Sequence, residues 1–260
     1  MYPFISIFGF EVQTYSVFAA IGFIVTALVA MSLCKIRKVS ADKSITATLM
    51  SAIGIFIGGH ILFALTNIKS IVKAIMTDGF KFSDLLPFIS GMVFYGGLFG
   101  AIIALIIYSA VNKDVDKKDL FDVFSVSVPL FHFFGRIGCF FAGCCYGVES
   151  DFGITSYFNT SATHYGVSRF PVALVEAFGN LLIFFLLLNF FKKIKFAGKL
   201  IFVYLLMYAP LRFVLEFFRG DEVRGFIFGL STSQFISVLI VCFLIVYFAV
   251  SINRRGSKAK

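Results

Sequence analysis

The sequence predicts an all-α polytopic membrane protein of about seven transmembrane helices, N-terminus outside and C-terminus cytoplasmic. Three observations carry that reading. Of 260 residues, 59% are hydrophobic and only 14% are charged, whereas a soluble domain has about 25% charged residues. Mean hydropathy is +0.95, and the apolar residues fall into seven runs near the roughly 20 residues that a bilayer core requires. Lys and Arg collect on one side of those runs. Seven spans with short loops use up the length, so residues 1–260 are expected to form a single integral membrane domain.

In chain order, Met1 to Phe10 lacks the basic n-region and small-residue cleavage site of a signal peptide, so the first apolar run reads as a retained span. That span covers about Tyr15 to Cys34 and is followed by Lys35, Arg37, Lys38 and Lys43. The second, about Ile45 to Leu65, carries Gly54 and Gly58 in a GxxxG contact. The moderately polar loop from Asn67 to Pro87 suits a short interfacial helix. The third span, about Phe88 to Val111, is followed by Lys113, Lys117 and Lys118. The fourth runs from about Leu120 to Gly143 through Pro129, and a long polar loop, Val148 to Phe170, leaves it. Pro171 stands where a helix would begin. The fifth span, about Val172 to Phe191, holds Glu176; the sixth, about Leu200 to Arg219, holds Pro210, Arg212 and Glu216. The seventh covers about Gln234 to Ile252. Fifteen of the 23 Lys and Arg follow odd-numbered spans and five lie on the other side, which sets the orientation. The net charge of +9 is therefore a topology signal, not a nucleic-acid footprint.

Chemistry is concentrated in residues 132–147, which place Arg136, three cysteines and four glycines among phenylalanines. An arginine at bilayer depth costs about 2.5–3.5 kcal/mol on insertion scales, so it needs a partner, a wet pocket or an anionic ligand. On a helix, Arg136 would share a broad face with His132, Cys139 and Cys144. The fourfold recurrence of Gly135, Cys139, Gly143 and Gly147 would let another helix approach. The glycines equally suit an unwound segment lining a cavity. Arg212, Glu216 and Arg219 have i, i+4, i+7 spacing, giving a stripe with two positive charges and one negative. With Arg136 this would suit a phosphate, because guanidinium forks match phosphate oxygens. The competing reading is an internal salt bridge that fixes helix packing, with Glu176 as the extra acid. Tyr95 precedes Gly96 and Gly97, where backbone can approach a ligand. Tyr15 is a candidate on span one, either functional or an interfacial anchor. His60 and His132 read as packed, hydrogen-bonded histidines. Cys139, Cys144 and Cys145 lack a CxxC pair or a second cluster, so neither a metal nor another cofactor is expected. Cys34 and Cys242 lie in apolar spans and read as inert.

The run Gly-Arg-Ile-Gly-x-Phe-x-x-Gly-x-x-x-Gly, Gly135 to Gly147, resembles the signature of the prolipoprotein diacylglyceryl transferases. Leu211-Arg-Phe-Val-Leu-Glu-Phe-Phe-Arg219 is similar to a second family segment. Gly58-Gly59-His60, Met92 to Gly100, Pro171 with Glu176, and Ser233-Gln234 with Ser237 resemble others in order and spacing. The resemblance implies a seven-span bacterial plasma-membrane enzyme. Such an enzyme moves the diacylglyceryl group of phosphatidylglycerol onto the thiol of a lipobox cysteine in a preprolipoprotein and releases glycerol phosphate. It implies that Arg136, Arg212, Glu216 and Tyr95 are catalytic. It implies further that Tyr15, Gly96, Gly97, Gly135, Gly138, Arg219, Cys139 and Cys144 bind substrate.

The departures fall at working positions. The family's histidine before Gly-Gly is Tyr95 here, its signature asparagine is Cys139, its signature glutamate is Cys144, and His60 replaces an arginine. The acid–base set is thus altered while the arginines remain. Two alternatives stay open: another phospholipid head-group transfer with Cys144 or Cys139 as nucleophile, and a non-enzymatic binder or carrier of an anionic lipid. The orientation has a direct check. A fluorescent protein fused after Lys260 should fold and fluoresce in cells, whereas alkaline phosphatase fused at the same point should be inactive; the opposite pair of results rejects a cytoplasmic C-terminus.

Overall fold

A computed structural model of the chain describes residues 2–7, 9–68, 72, 76, 92–155, 166–193, 198–221 and 226–258. Among these, seven apolar helices account for most of the structure: α1 (Thr14–Ile36), α2 (Ala41–Thr66), α3 (Phe94–Val111), α4 (Lys117–Ala142), α5 (Val172–Phe191), α6 (Leu200–Leu215) and α7 (Thr232–Lys258). Six are long and apolar enough to cross a membrane, α6 together with the 3-10 turn Glu216–Phe218 that prolongs it; α3 is a shorter apolar helix. The chain is therefore a multi-pass membrane protein. Among the described residues there are also three two-stranded antiparallel pairs: β1 (Phe4–Ile7) with β2 (Phe10–Gln13) before α1, β3 (Glu149–Thr155) with β4 (Ser168–Arg169) between α4 and α5, and β5 (Phe226–Ile227) with β6 (Leu230–Ser231) between α6 and α7. Most of the interfacial helix expected between Asn67 and Pro87 lies outside the described residues.

Two compact units make up the chain, Ala30–Val123 and the remainder, Met1–Val29 with Phe124–Lys260. In the Ala30–Val123 unit, α2 and α3 meet backbone to backbone. A Cβ on Gly54 or Gly58 would strike the carbonyl oxygens of Gly100 and Gly96, and one on Gly96 or Gly100 would strike those of Gly58 and Gly54. The GxxxG contact thus has a matching Gly96–Gly100 pair on the partner helix, the arrangement that gains dispersion energy where lipid removes any hydrophobic drive. What approaches the Gly96–Gly97 backbone is α2: Gly97 lies against Ile55. Tyr95 is buried at the start of α3. At the other end of this unit Arg37 bridges Asp119 and the fully buried Asp122, each at 3.5 Å.

In the other unit, α1 crosses α4 at Gly138, where an added Cβ would lie 3.1 Å from Phe18 and 3.3 Å from the Tyr15 backbone. Phe18 and Phe141 stack with centroids 5.2 Å apart. Gly22 faces Phe134 from the other side. Gly135 of the expected small-residue stripe does not make this contact: nothing lies within 4 Å of a Cβ built on it. Close approach needs a partner backbone at that spot, and α1 supplies it one turn away, at Gly138.

Helix α7 begins with a capping box. Ser231 Oγ accepts from the Gln234 N–H at 3.2 Å, and Gln234 Oε1 accepts from the Ser231 N–H at 3.1 Å. Outward-facing positions are apolar, for example Ile24, Leu28, Phe56, Ile57, Phe243 and Ile245, while Glu176, Asn180, Arg212 and Glu216 are buried. This inversion of the soluble pattern suits a lipid solvent. The glycine seam yields a prediction. Gly100→Leu should destabilise the protein by about 1–3 kcal/mol, the usual cost of overpacking, seen as earlier thermal aggregation in detergent; Ile103→Leu, at an exposed α3 position, should not.

Candidate functional site

The α4 helix ends in a Schellman turn. Gly143 takes a left-handed φ of 71°, its N–H reaches the Phe140 carbonyl at 3.2 Å, and the Cys144 N–H reaches the Cys139 carbonyl at 3.4 Å. The helical and unwound readings of residues 132–147 therefore both hold, in succession. Arg136 and Cys139 are on the last turns of α4; Cys144 and Cys145 lie beyond its end, off the helical face expected for Cys144.

Arg136 donates through Nε to His132 Nε2 at 3.2 Å, and its Nη2 lies 3.1 Å from Glu176 Oε1. Nη1 points at Cys145 Sγ, 3.8 Å away. Glu176, projecting from the first turns of α5, also pairs with Arg212 Nη1 at 3.5 Å and accepts from the Tyr208 hydroxyl at 3.2 Å. Arg212 in turn holds Glu216 at 2.7 Å and donates to Ser233 Oγ at 3.1 Å. Glu216 lies 3.7 Å from Arg219 Nη1. Arg219 closes the chain of charges on Asp221, with Nε to Oδ1 at 2.9 Å and a second contact from Nη2 to Oδ2. Thus α4, α5, α6 and the start of α7 meet on one ionic line.

Two expectations change here. The stripe is not net positive: the three arginines Arg136, Arg212 and Arg219 face the three acids Glu176, Glu216 and Asp221. Burial explains this, since an uncompensated charge costs several kcal/mol in low dielectric. Nor does Arg219 continue the helical stripe. The chain tightens into a 3-10 turn at Glu216–Phe218, and Arg219 is extended, with φ −84° and ψ 135°. It is held there by pairing with the segment after α4. Gly147 and Arg219 form a β-bridge, Val148 donates to the Phe218 carbonyl at 3.0 Å, and Gly220 donates to that of Tyr146 at 3.0 Å. Gly147 is required, because a Cβ would collide with the Phe170 carbonyl and lie 2.9 Å from that of Phe218.

Above the ionic line stand the three thiols. The Sγ atoms of Cys139, Cys144 and Cys145 all lie within 4.8 Å of one another, and Cys144 Sγ is 3.9 Å from Cys145 Sγ. Contacts from the Cys139 and Cys144 thiols, helped by Arg136 and Arg219, hold the Cys145 thiol well below its ordinary range despite burial. Contact with Cys139 pulls Cys144 down, but Cys145 and burial push it up to about 11. Burial alone would lower Arg219, yet its bond to Asp221 and the nearby Cys145 keep it above the usual arginine value. Tyr15 on α1 lies within electrostatic reach of Arg136 and all three cysteines.

Of the sequence-predicted residues, Arg136, Arg212, Glu216, Arg219, Cys139, Cys144, Tyr15, Gly135 and Gly138 belong to this unit. Tyr95, Gly96 and Gly97 belong to the other and are described with it. Sequence reasoning missed Tyr208, Asp221 and Arg169. Tyr208 stands at i−4 from Arg212, a helical spacing that could have revealed it. Asp221 follows Arg219 by two residues, in a stretch read only as loop. Arg169 donates to the Gly147 carbonyl at 3.2 Å and lies over the Tyr146 ring at 4.8 Å; nothing in the local sequence marks it. Removing Glu176 should strand two buried cations. Glu176→Gln should cost about 3–5 kcal/mol of stability, and the Arg136→Gln/Glu176→Gln double variant should lose less than the sum of the singles, as read from denaturant unfolding of the purified protein.

Comparison with known proteins shows the family. The sequence profile of the prolipoprotein diacylglyceryl transferases matches residues 3–250. The chain is 33% identical over 236 residues to phosphatidylglycerol–prolipoprotein diacylglyceryl transferase 2 of Clostridium perfringens, covering 90% of this chain and 89% of that one. It is 30% identical to the corresponding Clostridium tetani transferase, over 95% and 96% of the two chains. With that of Campylobacter hominis it shares 32%, over 91% and 85%. A match running through every span, with relatives at 30% identity or more over most of both chains, makes this chain a member of the prolipoprotein diacylglyceryl transferase family.

Proposed function

We propose that the protein transfers the diacylglyceryl group of phosphatidylglycerol to the cysteine thiol of a preprolipoprotein, in the bacterial plasma membrane and near its outer leaflet. The observation that carries this reading is the convergence of guanidinium groups from α4 and the end of α6 beside thiols and a half-exposed tyrosine. Family membership and the names of the relatives support the donor and the acceptor.

Arg136 is the principal charge stabiliser in this scheme. Its Nε and Nη2 are committed to His132 and Glu176, which fixes the plane of the guanidinium. Nη1 faces a thiol sulfur, a weak acceptor, so a phosphate oxygen would be the better partner. The Arg136 side chain keeps 12% exposure, as does that of Arg219, against 4% for Arg212. Arg136 and Arg219 therefore suit contact with the lipid phosphate, and Arg212 with Glu216 suits positioning. Open space beside Gly135 would admit the glyceryl backbone, and Tyr15 with Gly138 would border it. For Tyr95, as a proton carrier, and for Gly96 and Gly97, the proposal rests on their place in the family-like Tyr-Gly-Gly run.

In the reaction, the acceptor thiol gives up its proton to water and its sulfur attacks the terminal glyceryl carbon. The carbon–oxygen bond to phosphate breaks, and glycerol phosphate leaves with the electron pair. Charge grows on the leaving phosphate, where preorganised donors are worth most. The experiment incubates membranes holding this protein with labelled phosphatidylglycerol and a lipobox peptide. Label should reach the peptide thiol, and Arg136→Ala should lower the rate by about 100-fold or more. Arg136→Lys should rescue little, because it lacks the planar fork. Absence of transfer while an authentic transferase works in parallel overturns the proposal.

A further inference from the structure

The thiol trio is built in a way that the transfer reaction of the arginines does not require. Cys139 comes from the last turn of α4, and the Schellman turn at Gly143 reverses the chain so that Cys144 and Cys145 fold back over it. Three Sγ atoms from two stretches of chain thereby face one point. A cation with sulfur ligands at about 2.3 Å sets sulfur–sulfur separations near about 3.8 Å in tetrahedral geometry. Cys144 Sγ and Cys145 Sγ stand 3.9 Å apart, and no pair in the group exceeds 4.8 Å. Closing that triangle needs shifts of at most about 1 Å, within reach of cysteine rotamers.

We propose that Cys139, Cys144 and Cys145 form a three-thiolate site for Zn²⁺, whose open fourth position takes the thiol of the acceptor cysteine. The second half rests on the reading under Proposed function; the first does not. Charge favours the assignment. A divalent cation with three thiolates carries one net negative charge, and Arg136 Nη1 stands 3.8 Å from Cys145 Sγ to offset it; one of its two N–H groups would make the outer-shell contact to a metal-bound sulfur, leaving the other for the phosphate. Three protein ligands with one position left open is the arrangement of catalytic zinc, while structural sites fill all four. Among the described residues the group contains three ligands, and Cys144 is exposed, so a substrate thiol can reach it. The assignment also accounts for the altered acid–base set. Where the family-like pattern has asparagine and glutamate, this chain has two of the three sulfurs, and a cation would deprotonate the acceptor without a side-chain base. Coordination releases the acceptor proton to water, and the bound thiolate keeps its lone pairs for attack on the glyceryl carbon. No electrons are exchanged.

The spacing had argued against a metal because no CxxC pair is present. The turn at Gly143 does the work that the two intervening residues of a CxxC would do.

The test uses the full chain in detergent, reduced and stripped with a chelator. Titration with Co²⁺ should give sulfur-to-cobalt charge-transfer absorption at one ion per chain, displaced by Zn²⁺. Zn²⁺ should protect Cys139, Cys144 and Cys145 from maleimide labelling, read by mass spectrometry, while Cys242, exposed in α7, labels equally with or without it. Each of Cys139→Ser, Cys144→Ser and Cys145→Ser should weaken Co²⁺ binding by about tenfold or more, and Cys242→Ser should leave it unchanged. A lipobox peptide added to the Co²⁺ form should shift the visible bands, and its serine counterpart should not. No stoichiometric charge-transfer band, with labelling indifferent to Zn²⁺, overturns the site. A Cys144–Cys145 disulfide in the isolated protein together with no binding after reduction does the same. Binding without a peptide-induced shift overturns the acceptor position alone. Because labelling and spectra need no turnover, a protein inactive in the transfer assay can still bind the ion, so failure of either reading shows separately.

Discussion

The unit that holds the candidate site depends on the need to neutralise charge where water is scarce. Glu176, 1% exposed, is the point where this need is met. It accepts from Tyr208 and balances guanidinium groups from two helices. Ion pairs of this kind add little net stability over a well-packed apolar core, because desolvation offsets most of the attraction. Their value is specificity. An apolar seam between α4, α5 and α6 could slide or rotate at small cost in lipid, whereas the Glu176 pairs hold only when all three helices share one register.

The same balance bears on how a neutral network could still hold an anion. An arginine presents five N–H donors, and one carboxylate cannot occupy them all. Arg136 is held along one edge by His132 and Glu176 and turns the other towards sulfur. Net charge is thus a poor guide to anion affinity in a buried cluster; the direction of the remaining donors matters more. Arg212, buried and gripped by Glu176, Glu216 and Ser233, shows the other extreme, an arginine used to aim its neighbours.

Much of this was legible in the sequence, for definite reasons. Seven apolar runs and the distribution of Lys and Arg gave the helices, because bilayer thickness leaves few alternatives. Pro171 and the Gly54–Gly58 pair announced a helix start and a close crossing, since each acts through local backbone geometry. Arg136, Arg212 and Glu216 stood out because charge is rare in such segments. Less legible were properties that depend on pairing between distant stretches. The role of Glu176 as a hub needs the positions of α4 and α6 together. The competing salt-bridge reading named Glu176 as the extra acid, but not that it would join Arg136 to Arg212. The approach of Gly138, not Gly135, to α1 depends on rotation of α4, which a four-residue repeat leaves undetermined. The end of helical geometry at Leu215 was invisible because Arg212, Glu216 and Arg219 keep helical spacing; only the Gly147–Arg219 bridge pulls the last of them straight.

That bridge has a mechanical consequence. Tyr146 and Gly220, Val148 and Phe218 are tied backbone to backbone, so the tail of the sixth helix and the loop carrying the cysteines move as one piece. A lipid head group that draws Arg219 towards itself would carry Cys145 along, because Cys145 adjoins the tied Tyr146. The arginine-bearing and cysteine-bearing halves of the site would then settle into place in a single motion, with a ligand arriving at one felt by the other through the main chain.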